Sequence, residues 1–111
     1  MNALKNRVQL IGNLGNKPEL IILESGKKLT KFSVATNETY KNAKGEKVTE
    51  IQWHNIIAWN KTAEIIESYL DKGSEVMIEG KLTSRSYENE NGEKRYITEV
   101  VCKEILMLGN K

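Results

Sequence analysis

Apolar and polar residues alternate in short blocks separated by turn residues, and only one block follows a helical period. Between Arg7 and Leu14, Val8, Leu10, Gly12 and Leu14 share one parity, and Gly15-Asn16-Lys17-Pro18 then breaks the run. Pro18, the single proline, marks a turn rather than a central strand. A short apolar segment from Leu20 to Leu23 leads into Glu24-Ser25-Gly26-Lys27. Leu29 to Thr39 reads as a second long strand with Phe32, Val34 and Thr36 on one face. Lys41 to Lys47 is a polar hairpin loop with Gly45 inside it and lysines through it. Val48 to Trp59 is β-branched and aromatic, the strongest strand pattern in the chain.

After Trp59 the period changes. Asn60 is expected to cap a helix from Lys61 to about Leu70, with Ala63, Ile66, Tyr69 and Leu70 on its apolar stripe and Gly73 at its end. Two more strands follow, Glu75 to Tyr87 and Lys94 to Leu108, joined through Asn91-Gly92, a hairpin signal. Five main strands and one short extra strand in so few residues need their edges closed, which an antiparallel barrel achieves. Three strands, a helix and two strands is the order of the five-stranded OB-fold. The expected class is therefore all-β with one helix, the helix lying between the third and fourth main strands and plugging the barrel.

The whole chain, 111 residues, fits one domain with a single core. Its longest apolar run, Leu20 to Leu23, is far below the length of a membrane-spanning helix, and the first residues lack a signal-peptide core. One cysteine, Cys102, and one histidine, His54, argue against disulfides, metal clusters and Cys-His catalysis, and fit a reducing cytoplasm. Net charge is only +2, but it is unevenly distributed: nine Lys/Arg against four Asp/Glu in residues 1–47, and eight against eleven in residues 48–111. Such asymmetry can steer an anion to one surface. Gly12-Asn13-Leu14-Gly15 lacks the ending of a phosphate loop, and pairs such as Glu64/Glu67 and Glu88/Glu90 lie where solvation explains them. No nucleophile has a base at a useful spacing, so neither an enzyme nor a bound cofactor is expected.

Strand alternation places Trp53, Asn55, Ile57 and Trp59 on one face of the third main strand, with the two indoles roughly 20 Å apart. That face is either the core or an open aromatic surface. In the fourth main strand Val76, Ile78, Gly80 and Leu82 form the expected core face, leaving Lys81, Arg85 and Tyr87 together on the solvent side. Rings interleaved with cations suit unpaired nucleic acid, whose bases stack and whose phosphates need neutralising. The same rings could instead pack on a second subunit.

Specific segments sharpen the reading. Arg7-Val8-Gln9-Leu10-Ile11-Gly12-Asn13-Leu14-Gly15 with Pro18-Glu19, Phe32-Ser33-Val34-Ala35-Thr36-Asn37 and Trp53-His54-Asn55-Ile56-Ile57 resemble the bacterial single-stranded DNA-binding protein family. So do Tyr69 to Ser74, Ile78 to Leu82 and Arg95 to Val101, and together the segments span nearly the whole chain in order. The resemblance implies stacking platforms at Tyr40, Trp53, Trp59 and Tyr87, and phosphate contacts at or near Arg7, Lys61, Lys72, Lys81 and Arg85. It implies a subunit contact at His54 and a homotetramer, a dimer of dimers built through the first strands. The expected partner is single-stranded DNA, bound in replication, recombination and repair, with no membrane partner. Family members usually continue into a linker and an acidic tail that recruits other enzymes. This sequence ends at Leu108-Gly109-Asn110-Lys111, which reads as a short member or one whose tail has been removed. Two other readings use the same rings: an RNA-binding OB module, and a primosome-type barrel that docks on protein.

Overall fold

The computed structural model describes residues 3–108; Met1, Asn2 and the final Gly109-Asn110-Lys111 lie outside the described residues. After a 3-10 turn at Ala3–Asn6 come strands β1 (Val8–Leu14), β2 (Glu19–Ile22), β3 (Lys28–Lys41) and β4 (Lys47–Trp59). Helix α1 (Asn60–Tyr69), β5 (Glu75–Glu88) and β6 (Lys94–Met107) complete the fold. All six segments of period-two patterning are strands, with boundaries shifted by one or two residues.

The strands run β1-β5-β6-β4-β3-β2, and an added β1–β3 pairing closes β1, β5, β6, β4 and β3 into a five-stranded barrel with β2 on its edge. Neighbours pair antiparallel except at one seam. There β4 and β6 run parallel through Ile56↔Val100 and Ile57↔Val101. A ring with an odd number of strands cannot alternate direction at every step, so one parallel seam is unavoidable. Closure also asks β1 to pair with β5 over Val8–Asn13 and with β3 at Asn13 and Leu14. Gly12 makes that bend possible, because a Cβ there would lie 2.1 Å from the Ala35 carbonyl oxygen.

The interior is apolar: Leu14, Phe32, Val34, Ile56, Ala58, Val76, Ile78, Val100 and Cys102 from the strands meet Ala63, Ile66 and Leu70 from α1. Burial pushes the Cys102 thiol up to about 11, so it stays protonated as one more small core residue. Three expectations fail. Tyr69 does not join the helix stripe and is 71% exposed. At roughly 3.6 residues per turn it falls about 90° round the helix from the middle of the stripe that Ala63, Ile66 and Leu70 bury. Asn60 does not cap α1: it takes a positive φ of 53°, and its Oδ1 accepts the Lys28 amide at 3.2 Å, tying the helix start to β3. Leu82 does not enter the core but is nearly half exposed, because β5 leaves the barrel after Gly80. Asn6 instead brackets its backbone, accepting from the Leu82 amide and donating to its carbonyl, both at 3.0 Å.

Beyond the barrel, β3–β4 and β5–β6 project as two-stranded arms. Both tips use the same five-residue turn, Asn42–Glu46 and Asn89–Glu93. In each the Asn Oδ1 accepts the amides two and four residues on, and a glycine of positive φ follows.

Thr30 is fully buried between β2 and β4, and its Oγ1 has no hydrogen-bond partner among the described residues. An unpaired buried hydroxyl costs about 1–3 kcal/mol. Thr30→Val, of nearly equal shape, should therefore raise the urea midpoint by about 1 kcal/mol of added stability. An unchanged or lower midpoint would show that the hydroxyl is satisfied.

Candidate nucleic-acid interface

The parity of β4 decides where the tryptophans go. Ile56 and Ala58 are fully buried, so alternation forces Trp53 and Trp59 to the outside, where they are 61% and 36% exposed. The β3–β4 register places every outward residue. From the helix end to the tip the outward rungs are Leu29↔Trp59, Lys31↔Ile57, Ser33↔Asn55, Ala35↔Trp53, Asn37↔Ile51, Thr39↔Thr49 and Lys41↔Lys47. The Lys31↔Ile57 row continues across the seam through Val101 to Lys81 on β5. Two exposed lysines thus flank a floor of buried Ile57 and half-buried Val101.

The Trp53 ring has a built seat. A Cβ on Gly15 would come within 2.4 Å of its Cζ3, so the indole lies directly against the β1–β2 turn. That turn is held by Asn16, whose Oδ1 accepts from the Ser33 amide at 3.0 Å and lies 3.1 Å from the Ser33 Oγ. Beside it, an open groove of about 350 Å³ runs between the β3–β4 side and the β5–β6 side, lined by Asn16, Lys31, Ser33 and Asn55 on one wall and Ile97 and Glu99 on the other.

The expected cations differ in how free they are. Lys81, Arg85 and Tyr87 share the outward parity of β5, as alternation required, opposite Val101, Ile97 and Arg95. Arg85, however, grips Glu99, with Nε 3.2 Å from one carboxylate oxygen and Nη2 3.5 Å from the other. Glu99 is 5% exposed, and a carboxylate that deep needs its partner. Arg7, just before β1, pairs with Glu79 of β5 at 2.9 Å. Lys61 is exposed in the first turn of α1 and Lys72 in the turn before β5, and neither they nor Lys81 is in an ion pair among the described residues.

Tyr40 is not brought together with Trp53. It pairs with Val48 on the alternate parity of the ladder, and its hydroxyl donates to Glu50 at 3.3 Å. His54 lies on that same parity, half-buried, with Nε2 3.0 Å from Thr36 Oγ1. Lys31 was missed by sequence reasoning: without the β3–β4 register nothing indicates that it stands between the two indoles. The register could have been drawn from the hairpin turn at Asn42–Glu46, since its length fixes which residues face each other.

The single-strand binding protein family profile matches residues 5–108. The chain belongs to that family. It is 46% identical over 107 residues to single-stranded DNA-binding protein 1 of Chlorobaculum tepidum, covering 96% of this chain and 66% of the relative. It is 41% identical over 110 residues to single-stranded DNA-binding protein 1 of Xylella fastidiosa, covering 98% and 81%. The Neisseria meningitidis serogroup A single-stranded DNA-binding protein matches at 42% over 106 residues, with 96% and 61% covered. This chain thus spans about two-thirds of the length of some relatives. The structure of Plasmodium falciparum SSB in complex with ssDNA superposes with a TM-score of 0.86 at 31% identity, covering 94% of this chain and 95% of that one. That likeness carries the OB-fold assignment.

The seat of Trp53 is directly testable. Gly15→Ala should displace the indole, shifting its emission and weakening oligonucleotide binding while leaving the thermal midpoint nearly unchanged. Emission and affinity equal to the parent would mean that the ring does not rest on this turn.

Proposed function

We propose that this chain binds single-stranded DNA without sequence preference, stacking bases on Trp53 and Trp59 and holding phosphates through free lysines on the same surface. The observation that carries this reading is the outward pair of indoles on one ladder face, with Lys31 and Lys81 flanking the row next to Trp59. Stacking contributes about 1–3 kcal/mol per base and tolerates any base, whereas lysines meet phosphates as point charges. The side chains need only bind and orient, and no covalent step is assigned to them. Replication, recombination and repair in the cytoplasm, on the nucleoid, is the setting that the family supports.

Within the expected set, Lys81, Lys61 and Lys72 are assigned to phosphates. Arg85 is assigned chiefly to Glu99 and Arg7 to Glu79, because a bound strand would have to compete with a carboxylate for each. Tyr87, outward and nearly half exposed, extends the stacking surface onto β5. Tyr40 is assigned a lesser share, since it stands on the other side of the ladder.

We further propose that residues 1–111 act as one OB domain assembled into a homotetramer. β1 pairs with β3 only at Asn13 and Leu14, so among the described pairings the outer edge of Val8–Gly12 is open. Ile11, Met77 and Leu106 form one row across β1, β5 and β6, with Ile11 and Leu106 half exposed. An open strand edge beside an apolar row fits a second copy of the chain. His54 is placed in the assembly by family resemblance alone.

Titration with oligo(dT) should quench tryptophan emission strongly and reverse with salt. Trp53→Ala should weaken binding by about 1–3 kcal/mol at an unchanged salt slope. Tyr40→Ala should cost less, and Lys81→Ala should reduce the slope by about 0.7. No quenching at low salt would overturn the DNA reading, and equal competition by RNA of the same length would move it to nucleic acid in general. Light scattering should return four times the chain mass of 12.6 kDa, and a monomer mass at micromolar concentration would refute the assembly.

A further inference from the structure

The β3–β4 ladder is sorted by charge. Over the rungs from Leu29↔Trp59 to Lys41↔Lys47, its outward face carries Lys31, Lys41 and Lys47 and no Asp or Glu, while the opposite face carries Glu38 directly across from Glu50 and no Lys or Arg; Lys28, which opens β3 on that parity, is bound to Glu64. The last rung sets Lys41 directly against Lys47, and like charges facing each other across a strand pair are destabilising unless an anion lies between them. All three lysines are exposed and none is in an ion pair among the described residues. The rung nearest the tip thus repeats, in charge, what the rung between the indoles offers.

We propose that Lys31, Lys41 and Lys47 form a phosphate track running lengthwise along this face, so that a single strand leaving Trp59 passes Lys31 and Trp53 and continues to the arm tip. This rests on the DNA reading above and adds a direction to it. From the Trp59 rung to the Lys41 rung the track extends about 40 Å, twice the distance between the indoles. Lys31 therefore serves any strand that bridges both rings, whereas Lys41 and Lys47 serve only a strand long enough to pass Trp53. The reverse face of the same rungs offers no lysine or arginine to a phosphate.

The experiment compares salt slopes for oligo(dT) of about 5 and about 15 residues. Variants are Lys31→Gln, the double variant Lys41→Gln/Lys47→Gln, and Glu38→Gln/Glu50→Gln as the reverse-face control. Each lost phosphate contact on single-stranded DNA lowers the slope by about 0.7. Lys31→Gln should do so with both oligonucleotides. The lysine pair should lower it by about 1.4 with the long one alone, and the glutamate pair should leave it unchanged. Parental slopes in the lysine variants, or equal losses with short and long DNA in the double variant, would overturn the track. A slope change in the glutamate control matching that of the lysine pair would do the same. Tryptophan quenching by the parent in the same titrations separates the two claims: its absence sinks DNA binding itself, and its presence with unchanged slopes sinks only the track.

Discussion

Strand β4 has one side for the barrel and one for solvent, and the period of two leaves no third choice. With Ile56 and Ala58 in one buried cluster with Val34, Val100 and the α1 residues Ala63 and Ile66, a slip of one residue would bury both indoles and expose the core. The core therefore fixes which face carries the two indoles. Register carries this outward: the same pairing that seats Trp53 beside Ala35 also places Lys31 between the rings and faces Lys41 with Lys47.

Barrel closure adds the second constraint. β1 must serve two neighbours, and it does so where Gly12 lets the Ala35 carbonyl approach. A few residues on, Gly15 lets the edge of an indole lie against the turn. One strand and its turn thus both close the core and seat the aromatic ring, through backbone shape rather than side-chain chemistry.

The pattern of residues revealed all six strands, the helix and the outward parity of Lys81, Arg85 and Tyr87, because each depends on local periodicity. What it missed depends on partners distant in sequence. Asn60 has the composition of a cap, yet the Lys28 amide claims its oxygen. Leu82 continues an apolar alternation past the point where β5 leaves the barrel. Arg85 reads as a free cation until Glu99, fourteen positions on, folds beneath it. Tyr40 takes its role from resemblance, and resemblance does not specify on which side of a ribbon a ring will stand.

The arm tips close on themselves. The backbone and asparagine bonds that shape Asn42–Glu46 and Asn89–Glu93 are internal to five residues, with each asparagine also donating to the terminal glutamate; Arg95 adds one bond to Glu93 from the adjoining strand. Positions 43, 44, 90 and 91 therefore owe nothing to the barrel. Evolution or an engineer can rewrite them, grafting a reporter, a new charge or a docking peptide at the far end of either arm, while the globule beneath remains indifferent.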